Sequence, residues 1–209
     1  FIDNDIAIWM GWVTLSSKNG DIVKVEFNDI GRFNRRKASV LEKLGNQNNS
    51  QSVSLISIHE HEIPTEFSAD AIDLATNTKP AMLDDNRRDL RNIDLVTIDG
   101  SDARDFDDAV WAGTDQTKNN EDGWRIIVAI ADVAHYVKPN DALDIDARKR
   151  GNSVYFPDRV VPMLPEALSN GMCSLRPDED RACLAVQIII DNKGKKLSHK
   201  FFRGLMRSK

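Results

Sequence analysis

Apolar residues are patterned most strongly beyond about residue 92, where they predict a β-sheet. Trp124–Val133 is apolar on both faces of an extended chain, which is typical of a central strand. A helix is predicted at Asn140–Arg150, with Gly151 placed to end it. The other strands predicted in this region are Asp94–Asp99, Asp107–Ala112, Ala182–Ile190 and Lys196–Met206, the last two joined as a hairpin.

Residues 1 to about 62 show a weaker and mostly β pattern. Asp21–Phe27 alternates like a half-buried strand, and Val53–Ile58 predicts a second strand. Between them, Arg35–Gly45 predicts a helix, because its apolar residues share one helical face and its final glycine could cap it. This first region therefore predicts a small β-rich domain with one helix.

A polar stretch separates the two regions. Pro64 interrupts the apolar pattern, and a short helix is predicted at Ala69–Ala75 before a connecting segment that ends near Asn92. The pattern as a whole predicts an α+β fold with two domains.

Charge is distributed unevenly along a chain whose formal net charge is −5. The overall balance would not draw the protein onto a polyanion. Seven basic residues and no acidic residue lie between Lys193 and Lys209, and they form either a phosphate-facing strip or a solvated strand edge. Five acidic residues and a single arginine lie within Asp99–Asp108, and this second concentration is the more informative one.

The rest of the sequence indicates whether the protein spans a membrane and in which redox environment it acts. Ile126–Ala131, the longest fully apolar run, is far shorter than the roughly 20 residues of a membrane helix. Cys173 and Cys183 form no C-x-x-C pair, which argues against a zinc site or disulfide framework and favours a cytoplasmic protein. Because the chain starts at Phe1 without a leader and ends without a helix cap or turn, we expect it to be part of a longer protein.

Asp99 ends the strand predicted at Asp94–Asp99, and a short segment with Asp105, Asp107 and Asp108 follows it. These four carboxylates are therefore within reach of one point. Like charges this close raise each other's pKa, so such a group usually holds a cation. Oxygen ligands without nearby His or Cys favour Mg²⁺ or Mn²⁺ over zinc. Two such ions about 4 Å apart would suit phosphodiester hydrolysis.

Two other interpretations of the acidic segment stay open or fit less well. Asp99 could cap a turn beside a solvated acidic loop. A calcium loop fits badly, because the sixth residue counted from Asp99 is Arg104, and from Asp105 it is Val110, where an EF-hand needs glycine. In a regular strand Asp108 would point away from Asp107, so the metal hypothesis requires an irregular backbone here.

Several stretches closely resemble the first half of the catalytic (RNB) domain of the ribonuclease II superfamily. They occur in the family's order and at family-like spacing between about Asp89 and Lys209. Upstream, ASVLEKLGNQNNSQSVSLISIHEHEIP more loosely resembles the end of a cold-shock (OB-like) domain. The stretches that carry the catalytic resemblance are DLRNIDLVTIDGSDARDFDDAV, VAIADVAHYV, RGNSVYFPDRVVPMLPEALSNGMCSL and DRACLAVQIIIDNKG.

The resemblance implies a Mg²⁺-dependent, hydrolytic 3′-to-5′ exoribonuclease that degrades single-stranded RNA to 5′-mononucleotides. The family's acidic motif corresponds to Asp99, Asp105, Asp107 and Asp108, which would be both catalytic and metal-binding. Its base-stacking aromatic corresponds to Tyr155, and stacking on single-stranded RNA is a suitable role for a tyrosine. A half-buried strand aromatic is the alternative for this residue.

The resemblance also predicts the domain organisation. Residues 1–63 would be a partial cold-shock, OB-like RNA-binding domain, 64–92 a connecting segment, and 93–209 the N-terminal part of the RNB domain. The family's later helical half, with its active-site arginine, and its S1 RNA-binding domain have no counterpart in these residues.

Two other functions stay open, the first because this portion lacks the family's active-site arginine. One is a catalytically inactive RNA-binding or scaffolding fragment. The other is a nuclease acting on DNA, because the carboxylates do not read the 2′-OH that distinguishes RNA.

Overall fold

A computed structural model describes residues 18, 20–28, 37–46, 50–101, 103–117 and 120–209 of the 209-residue chain. The chain divides into two compact units. Unit one comprises Phe1–Thr65 and Tyr155–Val161, and unit two comprises Glu66–Val154 and Pro162–Lys209. Within the described ranges, no helix is both long and apolar enough to cross a membrane.

The regular elements of the described residues are nine strands, four α-helices and one short π-helix. The strands are β1 (Asp21–Asn28), β2 (Lys37–Asn46), β3 (Arg87–Asp89), β4 (Asp108–Thr114), β5 (Trp124–Ala131), β6 (Val154–Tyr155), β7 (Val160–Val161), β8 (Asp180–Ile190) and β9 (Lys196–Arg207). The helices are α1 (Ser50–Glu60), α2 (Ala69–Thr76), α3 (Val133–Tyr136), α4 (Ala142–Arg150) and the π-helix Ala167–Met172.

In unit one, β1 and β2 form an antiparallel pair. The strand predicted at Asp21–Phe27 is confirmed as β1, but the helix predicted at Arg35–Gly45 is wrong. Its first two residues lie outside the described residues, and the rest belong to β2. Two irregularities in the register, after Ile22 and after Lys24, break the alternation that would have revealed the pairing. Pairing with a strand elsewhere in the chain overrode the local helical pattern.

The strand predicted at Val53–Ile58 is also wrong, because this segment belongs to α1. Ser54 and Ile58 are both buried and lie four residues apart, which is the spacing of one helix face. Gly45 approaches this helix so closely that a side chain there would collide with the Ser52 hydroxyl. The glycine is therefore required by packing within unit one and does not cap a helix.

Unit two contains a five-stranded sheet in the order β3-β9-β8-β5-β4. Neighbouring strands are antiparallel except for the parallel pair β3 and β9. The prediction of a strand with neighbours on both sides is confirmed by β5, and β4, β8 and β9 confirm three further strands. The strand predicted at Asp94–Asp99 is wrong, because only Val96 pairs there, in a single bridge to Val110.

The core of unit two lies between one face of this sheet and the helices. Ala129 on β5 and Ala185 on β8 are fully covered. They pack in one cluster with Ala71 of α2, Leu143 of α4 and Leu168 of the π-helix. We call this the inner face of the sheet. The opposite, outer face carries the alternate residues of each strand.

Two predicted helices of unit two are confirmed, and both have polar caps. The Ser68 side chain accepts the Ala71 amide at the start of α2, and Asp141 accepts the Asp144 amide at the start of α4. Gly151 ends α4 with a positive φ of 77°, which is a conformation that glycine adopts without strain.

Candidate active site at the acidic segment

The acidic segment, Asp99–Asp108, is mostly irregular backbone that leads into β4. Residues 103–107 belong to no helix or strand, and β4 begins at Asp108. The irregular backbone that the metal hypothesis requires before β4 is therefore present. Asp102 lies outside the described residues.

Hydrogen bonds hold the segment in place from two sides. The Phe106 amide donates to the Ser174 hydroxyl at 3.1 Å, and that hydroxyl donates to the Arg104 carbonyl at 2.9 Å. The Leu175 amide donates to the Phe106 carbonyl at 2.8 Å, while the Ala131 amide donates to the Asp107 carbonyl at 2.9 Å. The carboxylates on either side of Phe106 are thus attached to the core by their backbone.

Ser174 is the residue of this site that sequence reasoning missed. Its side chain is fully buried and bonds to both ends of the Arg104–Phe106 turn. It lies within the GMCSL stretch that carried the family resemblance. The signal that could have found it is a hydroxyl in an otherwise apolar buried stretch, because such a group needs polar partners.

Asp99 is the first residue of the acidic segment and follows a backbone bridge to β4. Val96 exchanges two backbone hydrogen bonds with Val110, of 3.0 and 2.9 Å, and this bridge ties Val96 to β4. Asp99 itself is exposed and lies outside any strand.

The electrostatics of Asp107 show that these carboxylates act on one another. Burial raises the pKa of Asp107, and the negative charges of Asp105, Asp108 and Asp99 raise it further. All four predicted residues are therefore within electrostatic range of one position. A cation at this position would offset the repulsion between them.

The donor set fits a hard divalent cation, although the side chains are not closely gathered. All four ligand candidates are carboxylates, which matches the oxygen preference of Mg²⁺ and Mn²⁺. Across the ranges that the structure describes, no three Asp, Glu, His or Cys side chains are grouped as metal ligands. The carboxylates are therefore of the type that binds Mg²⁺ or Mn²⁺, but their side chains are not arranged as a ligand set.

Asp132, directly after β5, occupies a buried ion pair. Its carboxylate lies 2.8 Å from the Arg87 guanidinium, and both side chains are 3% exposed. Arg203 of β9 approaches the same carboxylate at 3.4 Å. The pair links β3, β9 and the end of β5, so Asp132 has a structural hydrogen-bonding role.

Tyr155, the predicted base-stacking residue, belongs to unit one, whereas the four carboxylates belong to unit two. It lies at the end of β6, and its side chain is 63% exposed. The structure therefore describes Tyr155 as an accessible aromatic ring of unit one.

The basic strip between Lys193 and Lys209 is partly neutralised. Arg203, Arg207 and Lys209 each pair with a carboxylate of unit two. The lysines at 193, 195, 196 and 200 form no salt bridge within the described part of the chain. The positive charges without a salt bridge among the described residues are therefore concentrated in the turn between β8 and β9 and in the first part of β9.

Comparison with known families identifies this arrangement. Residues 87–209, well over half of the chain, match the family model of the RNB domain. The chain belongs to the RNB domain family. Residues 2–68 match the cold shock domain. The acidic segment and all five strands of the sheet lie within the RNB match.

Relatives and solved structures agree with this assignment. Ribonuclease R of Vibrio cholerae is 44% identical over 196 residues, which are 92% of this chain and 23% of the relative. The structure of Mycoplasma genitalium RNase R in complex with ribose methylated single-stranded RNA superposes with a TM-score of 0.82 at 29% identity, over 98% of this chain and 32% of that one. The same enzyme in complex with double-stranded RNA gives a TM-score of 0.81 at 29% identity, over 98% and 37%.

These comparisons confirm the recognition of an RNB-domain protein similar to ribonuclease R, and the α+β fold with cold-shock and RNB regions. The chain spans about a quarter to a third of the length of these relatives.

Proposed function

We propose that this chain carries the catalytic carboxylates of a hydrolytic, Mg²⁺-dependent exoribonuclease that degrades single-stranded RNA from the 3′ end to 5′-mononucleotides. The observation that carries the proposal is that three negative charges, those of Asp105, Asp108 and Asp99, act on Asp107, directly before a strand of the region that matches the RNB domain. Similarity to RNase R proteins, one of them solved with single-stranded RNA, supports the reaction and the substrate.

In this proposal Asp99, Asp105, Asp107 and Asp108 would hold Mg²⁺ and serve as the catalytic residues. Bound Mg²⁺ supplies a water of lowered pKa and stabilises charge on the leaving oxygen of the phosphodiester. Ser174 would hold the turn that presents two of these carboxylates. Exposed Tyr155 would stack on the terminal base, which is a contact that tolerates any sequence.

The wider organisation is part of the same proposal. Residues 1–63 would be a cold-shock, OB-like RNA-binding region, 64–92 a connection and 93–209 the catalytic region. A later half of the RNB domain and an S1 domain would belong to the parent chain. The protein would act in the cytoplasm, with RNA as its partner.

The deciding experiment is incubation with a 3′-extended single-stranded RNA and Mg²⁺, with products resolved at one-nucleotide resolution. Asp108→Asn should lower turnover on the order of 100-fold or more, because a charged ligand of the site is lost. Asp85→Asn removes an exposed carboxylate outside the acidic segment and should leave turnover unchanged. EDTA should abolish product formation in every sample.

A thermal melt with and without Mg²⁺ separates the alternatives. Stabilisation of the wild type but not of Asp108→Asn, without any product, would indicate a metal site in a chain that binds RNA without cleaving it. If neither product nor stabilisation were found, the metal proposal would be wrong. Equal turnover of single-stranded DNA would contradict the choice of RNA.

A further inference from the structure

A cavity of about 550 Å³ opens on the inner face of the five-stranded sheet. It begins beside Ile127, where the buried core ends along β5, and Trp111 of β4 forms one wall. Side chains alternate along β4, so Trp111 and Asp108 point to opposite faces of the sheet. The cavity is therefore separate from the carboxylate of Asp108.

Two guanidinium groups line this cavity, each lying over an aromatic ring. The Arg88 guanidinium carbon is 4.2 Å from the centre of the Phe202 ring. The Arg125 guanidinium carbon is 5.8 Å from the centre of the Trp111 ring. Neither arginine forms a salt bridge within the described residues. Stacked guanidiniums keep their edge N–H groups available for an anion.

One of these donors is buried and unsatisfied. Among the described residues, the Arg125 Nε atom is shielded from solvent and has no hydrogen-bond partner. A buried donor without an acceptor costs free energy, and native structures contain few of them. Because Nε is shielded, an acceptor oxygen of a bound molecule would reach it only after a shift of the Arg125 side chain.

The charge around the cavity includes two carboxylates. Asp115 lies within electrostatic range of Arg125, and hydrogen bonds from Thr117 and Asn120, together with the charge of Arg125, lower its pKa. Asp89 lines the cavity, but Arg91 binds it at 2.7 and 2.8 Å and lowers its pKa to about 2. Its negative charge is therefore already compensated. Gln187 supplies an amide, and Lys200 lies directly opposite it on β9, which brings another positive charge to this face.

We propose that this cavity binds a nucleotide, with the base against the aromatic and apolar walls and the phosphate at the two guanidiniums. The volume lies in the range of small-molecule sites, and the lining combines apolar surface with a few convergent polar groups. Bases stack on aromatic and guanidinium planes, and guanidiniums bind phosphate through paired N–H groups. The choice of a nucleotide over other anionic ring compounds rests on the proposed function.

The test is isothermal titration of the chain with adenosine 5′-monophosphate, inorganic phosphate and an oligoadenylate, all in EDTA. Removal of metal keeps the acidic segment from contributing to phosphate binding. We expect saturable binding of the monophosphate, and at least tenfold weaker binding of inorganic phosphate. Arg125→Gln and Arg88→Gln should each weaken nucleotide binding at least tenfold.

Two further variants are controls, one for loss of the fold and one for a general effect of removing positive charge. Arg125→Lys keeps the charge but loses the planar fork, and should also weaken binding while the thermal melt stays near that of the wild type. Arg148→Gln removes an exposed charge from α4 and should change nothing.

The outcomes distinguish the source of the nucleotide and can overturn the proposal. If only the oligoadenylate binds, and both glutamine variants weaken it, the site takes a nucleotide of an RNA strand. Binding of phosphate as tight as that of the monophosphate would reduce the cavity to a plain anion site and overturn the proposal. Absence of any binding sensitive to Arg125 and Arg88 would also overturn it. Because no metal is present, either result is independent of whether the chain degrades RNA.

Discussion

The two faces of the five-stranded sheet are both apolar, yet their surroundings differ. On the inner face, Ala129 and Ala185 are fully covered by helices. On the outer face, Ile130 and Leu184 lie opposite each other and are 47% and 46% exposed, and Phe201 is 64% exposed. An apolar sequence therefore identifies a strand that can be covered on either side, and the placement of helices decides which side is covered.

One end of the outer face does not follow this description. Arg203 lies opposite Leu184, and Arg87 lies opposite Arg203, so both arginines belong to the outer face. There the Arg87–Asp132 pair is buried, with Ala182 and Leu205 covered beside it. The outer face is thus closed at one end around charged groups and open over its apolar middle.

We expect the largest loss of stability when the buried Arg87–Asp132 ion pair is disrupted. Asp132→Asn leaves the Arg87 charge buried without its partner, and should lower the free energy of unfolding by about 3–5 kcal/mol. Urea denaturation measures this change. Asp94→Asn is the matched control, because that carboxylate is 77% exposed and lies 3.8 Å from Lys209, so about 0.5 kcal/mol or less is expected. Equal stability of the Asp132→Asn protein and the wild type would show that charge does not hold this end closed.

The next largest difference in stability is expected between leucine-to-alanine substitutions on the two sides of the sheet. Leu168→Ala empties a fully buried position beneath the inner face and should cost about 2–5 kcal/mol. Leu184→Ala removes the same atoms from the open outer face and should cost less than about 1 kcal/mol. Both values come from urea denaturation under identical conditions. Similar costs would mean that the outer face is covered in solution.

The two buried thiols of the core should make stability depend on pH, which tests whether this side of the sheet is shielded from solvent. Burial raises the pKa of Cys173 and Cys183 to about 12. In the unfolded chain a thiol loses its proton near pH 8.5. Between about pH 9 and 12 the unfolded state binds fewer protons, so stability should fall as the pH rises, by at most about 1.4 kcal/mol per thiol and pH unit.

Denaturant titrations at pH 8, 9 and 10 measure this slope. The Cys173→Ala/Cys183→Ala protein is the control, and its stability should vary less with pH over this range. A slope unchanged by the double substitution would assign the alkaline effect to other groups.

The smallest effect is expected at Phe201 on the outer face. Phe201→Thr keeps a residue suited to a strand and removes an exposed ring, so stability should change by about 0.5 kcal/mol or less. Solubility should rise, because an exposed apolar patch becomes smaller. Phe202→Thr, one residue along on the inner face, should destabilise more, since Phe202 packs against the core. Thermal unfolding and light scattering measure the two properties.

Sequence reasoning was strongest for the sheet and the acidic residues of unit two. β5 and β8 were predicted from continuous apolar runs, and α4 from its first-turn and last-turn residues. The acidic segment was found because five acids within ten residues stand out in any context. The roles of its four carboxylates stay predictions.

The failures share a cause. β2 has an apolar pattern that suits a helix, and its pairing with β1 depends on residues between 9 and 25 positions away. Asp94–Asp99 looks like a strand but keeps only the Val96 bridge, because no long partner lies beside it. Ser174 was missed because its partners, Arg104 and Phe106, lie about 70 residues away.

The sequence by itself determined which segments are apolar enough to enter a sheet, where α2 and α4 begin, and where the negative charge is concentrated. These properties depend on residues within a few positions of one another. Only the tertiary structure decided which face of the sheet is covered, how Ser174 holds the acidic turn, and that Arg88 and Arg125 meet at one cavity. Those outcomes depend on side chains brought together from distant strands, and no local pattern records that proximity.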